Sequence, residues 1–184
     1  MRKIFIDCGY NMGEVTSDFR NKLGDSFEYY AFEANPYLYE KYKNKHNFLS
    51  LENKAVWVFD GEIPFYVVVV DRAGNDNKYT GASTLIKEKS NWNMSIHQRE
   101  EEVIVECFDF SRFLSENFEK TDYIIVKMDI EGAEYEILNK LVETNTADFM
   151  NELYVEFHDE KVGLSKDKII SDLTNLNVKV HEWH

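Results

Sequence analysis

The stretch IFIDCGYNMGEVTSDF, residues 4–19, decides how this chain is read. Its first four residues form a β-prone run that ends at Asp7. Glycines at positions 9 and 13 bracket a turn, and Val15 and Phe19 then recur at a spacing of four, continued by Leu23. Strand, glycine turn and helix in succession are how an α/β protein offers a nucleotide-like ligand its backbone. A glycine in such a turn removes the Cβ that would block close approach. A purely structural β–α turn has the same appearance, so the identity of a ligand must come from the neighbouring residues.

Those neighbours exclude two ligand classes. The position that is a second glycine in dinucleotide binders is Asn11 here, so there is no G-x-G-x-x-G signature. No lysine–serine pair follows, which excludes a phosphate-binding P-loop. Asp7 at the strand end is poor company for phosphate and good company for an ammonium or sulfonium group. S-adenosylmethionine carries both cations and no phosphate, and it fits. Glu33 lies twenty residues after Gly13 at the end of the next β-prone run, where a carboxylate accepts hydrogen bonds from ribose hydroxyls. Asn53 ends a third such run and could face adenine, although a turn asparagine would look the same.

Around this nucleus the chain alternates. Residues 3–7, 28–33 and 51–57 read as strands, the last ending or bending near Asn53, and Pro36 opens a helix carrying Leu38 and Tyr42. Residues 62–70, 103–110, 122–132, 152–158 and 178–183 read as further strands. Asp109 is placed to cap a helix bearing Phe110, Phe113 and Leu114. Ala133, Ile137, Leu138 and Leu141 form one helical stripe, and Ile169, Ile170, Leu173 and Leu176 another. The apolar run at 124–126 suits a strand buried on both faces. The pattern predicts an α/β fold with a doubly wound, mostly parallel sheet, in which ligands lie at the carboxyl ends of strands. That rule gathers Asp7, Glu33, Asn53, Asp129 and His158 at one edge.

The 184 residues predict a single domain, 1–184, with residues 71–100 as an inserted substrate loop in which Tyr79, Ser83, Trp92 and His97 shape the acceptor pocket. The formal charge of −13 argues against nucleic acid or an anionic membrane as partner. Cys8 and Cys107 fit no zinc spacing and predict free thiols. No apolar run approaches a membrane span, and MRKIFID leaves no room for a signal peptide, so a cytoplasmic protein is expected.

Five segments together resemble the FkbM family of S-adenosylmethionine-dependent methyltransferases. They are DCGYNMG at 7–13, FEANP at 32–36, NKAV at 53–56, GAST at 81–84 and KMDIEGAEYEIL at 127–138. The pattern of Lys127, Asp129, Glu131, Gly132 and Glu134 is the most specific of them. The resemblance implies a class I methyltransferase (Rossmann-like) fold, S-adenosyl-L-methionine as cofactor and methyl transfer to a hydroxyl oxygen of a sugar, a polyketide or another small molecule. It places Asp7, Gly9, Asn11, Gly13 and Glu33 against the cofactor, and Cys8, Tyr10, Ala34 and Asn53 join them as candidates by position. The chain departs from the family's fold after His158, where the residues suffice for one helix and one strand. This implies a shortened C-terminal end and a core that a second subunit completes.

The same KMDIEG segment carries the candidate chemistry. Lys127, Asp129 and Glu131 alternate to one side of a strand, and a lysine buried there needs Asp129 or Glu131 as its partner. Asp129 and His158 are the candidate bases for an acceptor hydroxyl, with Glu131 as orienter and Lys127 as the cation that keeps the carboxylates ionised. Asp129 with His158 would also suit a divalent cation, but no ligand-spacing motif is present and the expected route is metal-free. Glu134 reads as a charge complementing a helix start. Two alternatives stand beside this reading. One is another nucleotide-using enzyme on the same fold, disfavoured by Asn11. The other is a degenerate domain that only binds a partner, disfavoured by the intact carboxylates.

Overall fold

In the computed structural model residues 1–70, 81–87, 99–158 and 166–183 are described. Six parallel strands form the central sheet. Its order is β3 (Leu49–Glu52), β2 (Glu28–Phe32), β1 (Lys3–Cys8), β7 (Tyr123–Met128), β8 (Glu152–Val155) and β9 (Lys179–Glu182). Helices α1 (Glu14–Leu23) and α2 (Pro36–Tyr42) connect the strands on one side of β1. Helices α4 (Glu134–Glu143) and α5 (Lys166–Asn175) connect those beyond β7. The winding therefore reverses between β1 and β7, and the crevice at their carboxyl ends is where such a sheet holds a ligand. β9 runs parallel to β8, and no antiparallel strand joins this sheet among the described residues.

β1 and β7 are the centre of the molecule because they are apolar on both faces. Ile4, Ile6 and Cys8 pack with Ile124, Val126 and Met128 against α4 and α3 (Phe110–Asn117). Phe5 and Ile125 pack on the opposite face with Phe19 and Tyr29. Each such side chain contributes about 1.5–3 kcal/mol on burial, which pins the register that sets Asp7 beside Lys127.

The run at 51–57 is divided near Asn53, where it was expected to end or bend, into two strands. β3 ends at Glu52, and the Asn53 side-chain Nδ2 donates to the carbonyls of Glu33 (2.7 Å) and Ala34 (3.4 Å), which turns the chain. β4 (Ala55–Trp57) then enters a second, three-stranded sheet of order β4-β6-β5, with β5 (Gly61–Val70) antiparallel to β6 (Arg99–Asp109). This small sheet stands over the crevice and presents Phe65 and Ala55 to it. Asp109 caps α3 as expected, accepting from the Arg112 amide. Cys8 and Cys107 are free and buried. No helix among the described residues is long and apolar enough to cross a membrane.

Candidate functional site

A cleft opens at the β1/β7 switch point and encloses about 610 Å³, its mouth included. Gly9 and Asn11 of the first turn line it, with Glu33, Ala34 and Asn35 after β2 and Asp129 and Glu131 after β7. Phe32, Leu38, Val56, Phe65, Leu85 and Ile130 make its apolar wall. Of the proposed substrate loop, Gly81, Ser83 and Leu85 reach the cleft. Tyr79, Trp92 and His97 lie outside the described residues.

The glycine turn is shaped by the protein's own packing. Gly9 has φ +88°, and a Cβ there would overlap the Asp129 carbonyl oxygen. Gly13 has φ +73°, and its Cβ would overlap the Tyr10 ring. The close neighbours of these two positions are a strand-end carbonyl and an aromatic ring, and Gly9 also lines the cleft. The turn's amides are also engaged internally. Those of Gly9 (3.1 Å) and Tyr10 (3.0 Å) donate to the Phe32 carbonyl, Asn11 donates to Glu33 Oε2 (2.6 Å), and Gly13 donates to Tyr10 (2.8 Å). Asn11 adopts φ +52°, tolerable for asparagine, and its Oδ1 is buried with no hydrogen-bond partner among the described residues.

Five of the residues expected at the cofactor lie outside the cleft wall: Gly13, described above, and Asp7, Cys8, Tyr10 and Asn53. Asp7 is fully buried beneath the turn, accepting from Thr16 Oγ1 at 2.5 Å and paired with Lys127 Nζ at 3.1 Å. Cys8 faces the core, where burial pushes its thiol far above the usual range. Tyr10 turns away and hydrogen-bonds His46 Nδ1 at 2.8 Å. Asn53 makes the chain-turning bonds described above. Glu33, 6% exposed, does reach the cleft. Its Oε2 accepts from Asn11 and its Oε1 from the Asn35 amide at 2.8 Å. Burial outweighs these two bonds and pushes its carboxyl up to about 7. Asn35 in turn caps α2, accepting from Tyr37 and Leu38.

On the other side of the cleft Lys127 is buried and donates to the Gly9 carbonyl at 2.7 Å. Asp7 is its nearer carboxylate; Asp129 stands at 3.6 Å. Burial pulls the Lys127 ammonium down, but the attraction of Asp7 and Asp129 prevails and keeps it charged. Beyond β7 the chain turns through Glu131 at φ +60° and Gly132 at φ +110°. Thr84 Oγ1 donates to the Glu131 carbonyl at 2.6 Å, so the GAST segment clamps this turn.

β8 stops at Val155 rather than reaching His158, and residues 156–158 carry the imidazole to the turn. His158 Nε2 lies 3.6–3.8 Å from carboxylate oxygens of Glu156, Glu131 and Asp129, and its Nδ1 lies 3.0 Å from Glu134 Oε1. Glu134 and Glu156 were not among the expected site residues. Glu134 is fully buried and accepts from the amides of Ile130 and Gly132, both at 2.9 Å. Asp129, Glu134 and His158 bring ligand atoms within 4.8 Å of one another, a spacing a cation could use. Glu134 is also engaged by two amides and the imidazole.

The site therefore combines a turn whose Gly9, Tyr10, Asn11 and Gly13 amides are engaged internally, a strand-end carboxylate and a cluster of acids around an imidazole. Residues 7–177 match the family model of the methyltransferase FkbM domain. No curated protein and no solved structure matches the chain. With nearly its whole length inside that match, and a Rossmann-like sheet to carry it, the chain belongs to the FkbM methyltransferase family.

Proposed function

We propose that this protein is an S-adenosylmethionine-dependent O-methyltransferase acting on a hydroxyl of a sugar, a glycan or a small metabolite. The observation that carries the reading is the turn between β1 and α1. Its amides of Gly9, Tyr10, Asn11 and Gly13 are internally paired and so are not free to cradle a pyrophosphate, while Asn11 Oδ1 waits as a buried acceptor for a donor group. A cationic, phosphate-free nucleoside meets both conditions. Glu33 would hold the ribose, the apolar wall of Phe32, Val56 and Leu85 the adenine, and Asn11 with Asp129 the cationic end. When bound, S-adenosylmethionine supplies an electrophilic methyl group on a positively charged sulfur.

The chain's own groups then orient the acceptor and take its proton. Asp129, at the cleft wall, accepts a hydrogen bond from the acceptor hydroxyl and aligns its oxygen. As the oxygen takes the methyl group, Asp129 takes the hydroxyl's proton and passes it to His158 Nε2, which lies 3.8 Å from its Oδ1. The three carboxylates around Nε2 stabilise the resulting imidazolium, each attraction being on the order of 1–4 kcal/mol between water-like and surface-like screening. A mouth of carboxylates favours acceptors that bring hydroxyl or other donors and disfavours phosphorylated ones. We further propose that the protein works without nucleic acid or membrane partners, in the cytoplasm, and as a homo-oligomer.

Calorimetry tests the cofactor assignment. S-adenosylmethionine and S-adenosylhomocysteine should bind and raise the melting temperature, and NAD and ATP should not. Binding of NAD with no binding of either adenosyl compound would overturn it.

A further inference from the structure

We infer that Glu134 is a positioning residue that fixes which nitrogen of His158 exchanges the proton. Its two carboxylate oxygens face three nitrogens at 2.9–3.0 Å: the amide N–H groups of Ile130 and Gly132 and the ring Nδ1 of His158. The positive φ angles at Glu131 and Gly132 turn those amides inward, as in an anion-binding nest. A carboxylate so surrounded acts as an acceptor, so Nδ1 keeps its proton. The nitrogen that gains and loses a proton is then Nε2, which faces Asp129, Glu131 and Glu156. Glu134 thus does two things from one buried point. It holds the turn bearing Asp129 and Glu131, and it aims the imidazole at that turn. The catalytic use of Nε2 rests on the function proposed above, whereas the tautomer does not.

Nitrogen-15 NMR of histidine-labelled protein saturated with S-adenosylhomocysteine is the test, with His158→Gln used to assign the signal. Neutral His158 should carry its proton on Nδ1, opposite to the preference of free histidine, and Nε2 should be the titrating nitrogen. In Glu134→Gln the Nε2–H form should appear. Affinity for S-adenosylhomocysteine should stay within roughly twofold, and turnover on any acceptor found should fall roughly a hundredfold or more. Wild-type protein with neutral His158 protonated on Nε2 overturns the inference, and that spectrum decides the matter even if the variant does not fold. A Glu134→Gln variant with wild-type tautomer and turnover overturns it equally.

Discussion

Glu33 gives the sharpest quantitative expectation. Its carboxyl is held at about 7 rather than its ordinary 4.5, chiefly by burial. That interval corresponds to about 3 kcal/mol, the cost of keeping the buried group ionised in the free protein. Since the folded value is raised, the group's contribution to stability is present below about pH 4.5 and is lost as pH rises through about 7. Two ribose hydroxyls donating to the carboxylate favour the ionised form, by about 1.5–3 kcal/mol for each charge-assisted bond, and pull the carboxyl back down. Cofactor binding should then release about half a proton at pH 7 and almost none at pH 8. Apparent affinity should weaken about twofold at pH 7 and about tenfold at pH 6 relative to pH 8. Titration calorimetry with S-adenosylhomocysteine, in buffers of different ionisation enthalpy, reads the proton count directly. Glu33→Gln isolates the group: the proton release attributable to it should vanish and affinity should drop roughly ten- to a hundredfold. Equal proton release in wild type and variant, or wild-type affinity in the variant, would refute the reasoning.

Three further outcomes are expected. Lys127→Met leaves Asp7 buried without its cation and should cost about 3–5 kcal/mol in urea unfolding; a loss below about 1 kcal/mol would contradict the buried pair. Gly9→Ala must overlap the Asp129 carbonyl at a positive φ and should destabilise by roughly 3 kcal/mol or more, whereas a glycine needed only for ligand approach would lose binding and keep its stability. Asp129→Asn and His158→Ala should lower turnover far more than cofactor affinity, and activity should survive chelators; loss of activity on chelation, restored by a divalent cation, would assign the mouth to a metal instead.

The alternation of apolar and turn segments made the parallel sheet legible, because β1 and β7 are apolar on both faces and their register follows from burial. What was not legible depends on contacts between distant strands. Lys127 has Asp7 as its nearer partner because the two are cross-strand neighbours, a fact that appears only once β1 is paired with β7. The break at Asn53 was visible, but not its consequence, since the asparagine turns the chain by bonding carbonyls twenty and nineteen residues earlier. Glu134 looked like an ordinary helix-start charge. Its role becomes apparent with the left-handed turn at Glu131 and Gly132, which aims the amides of Ile130 and Gly132 at it, and with the early end of β8 that brings His158 there. Tyr10 and Cys8 sit in the turn's sequence but not on its ligand side, as strand alternation and the reversal at Gly9 direct their side chains inward.

The measurement that tests the central claim most directly is product analysis after incubation with S-adenosylmethionine carrying a carbon-13 methyl group. The protein is offered a panel of neutral sugars, glycans and hydroxylated metabolites, with phosphorylated counterparts alongside, and the products are read by NMR. Transfer to a hydroxyl oxygen of a neutral acceptor, at a rate that His158→Ala reduces strongly, is the predicted result. Labelled methyl found on nitrogen or carbon, transfer that prefers the phosphorylated counterparts, or no transfer by protein shown to be saturated with the methyl donor, would contradict it.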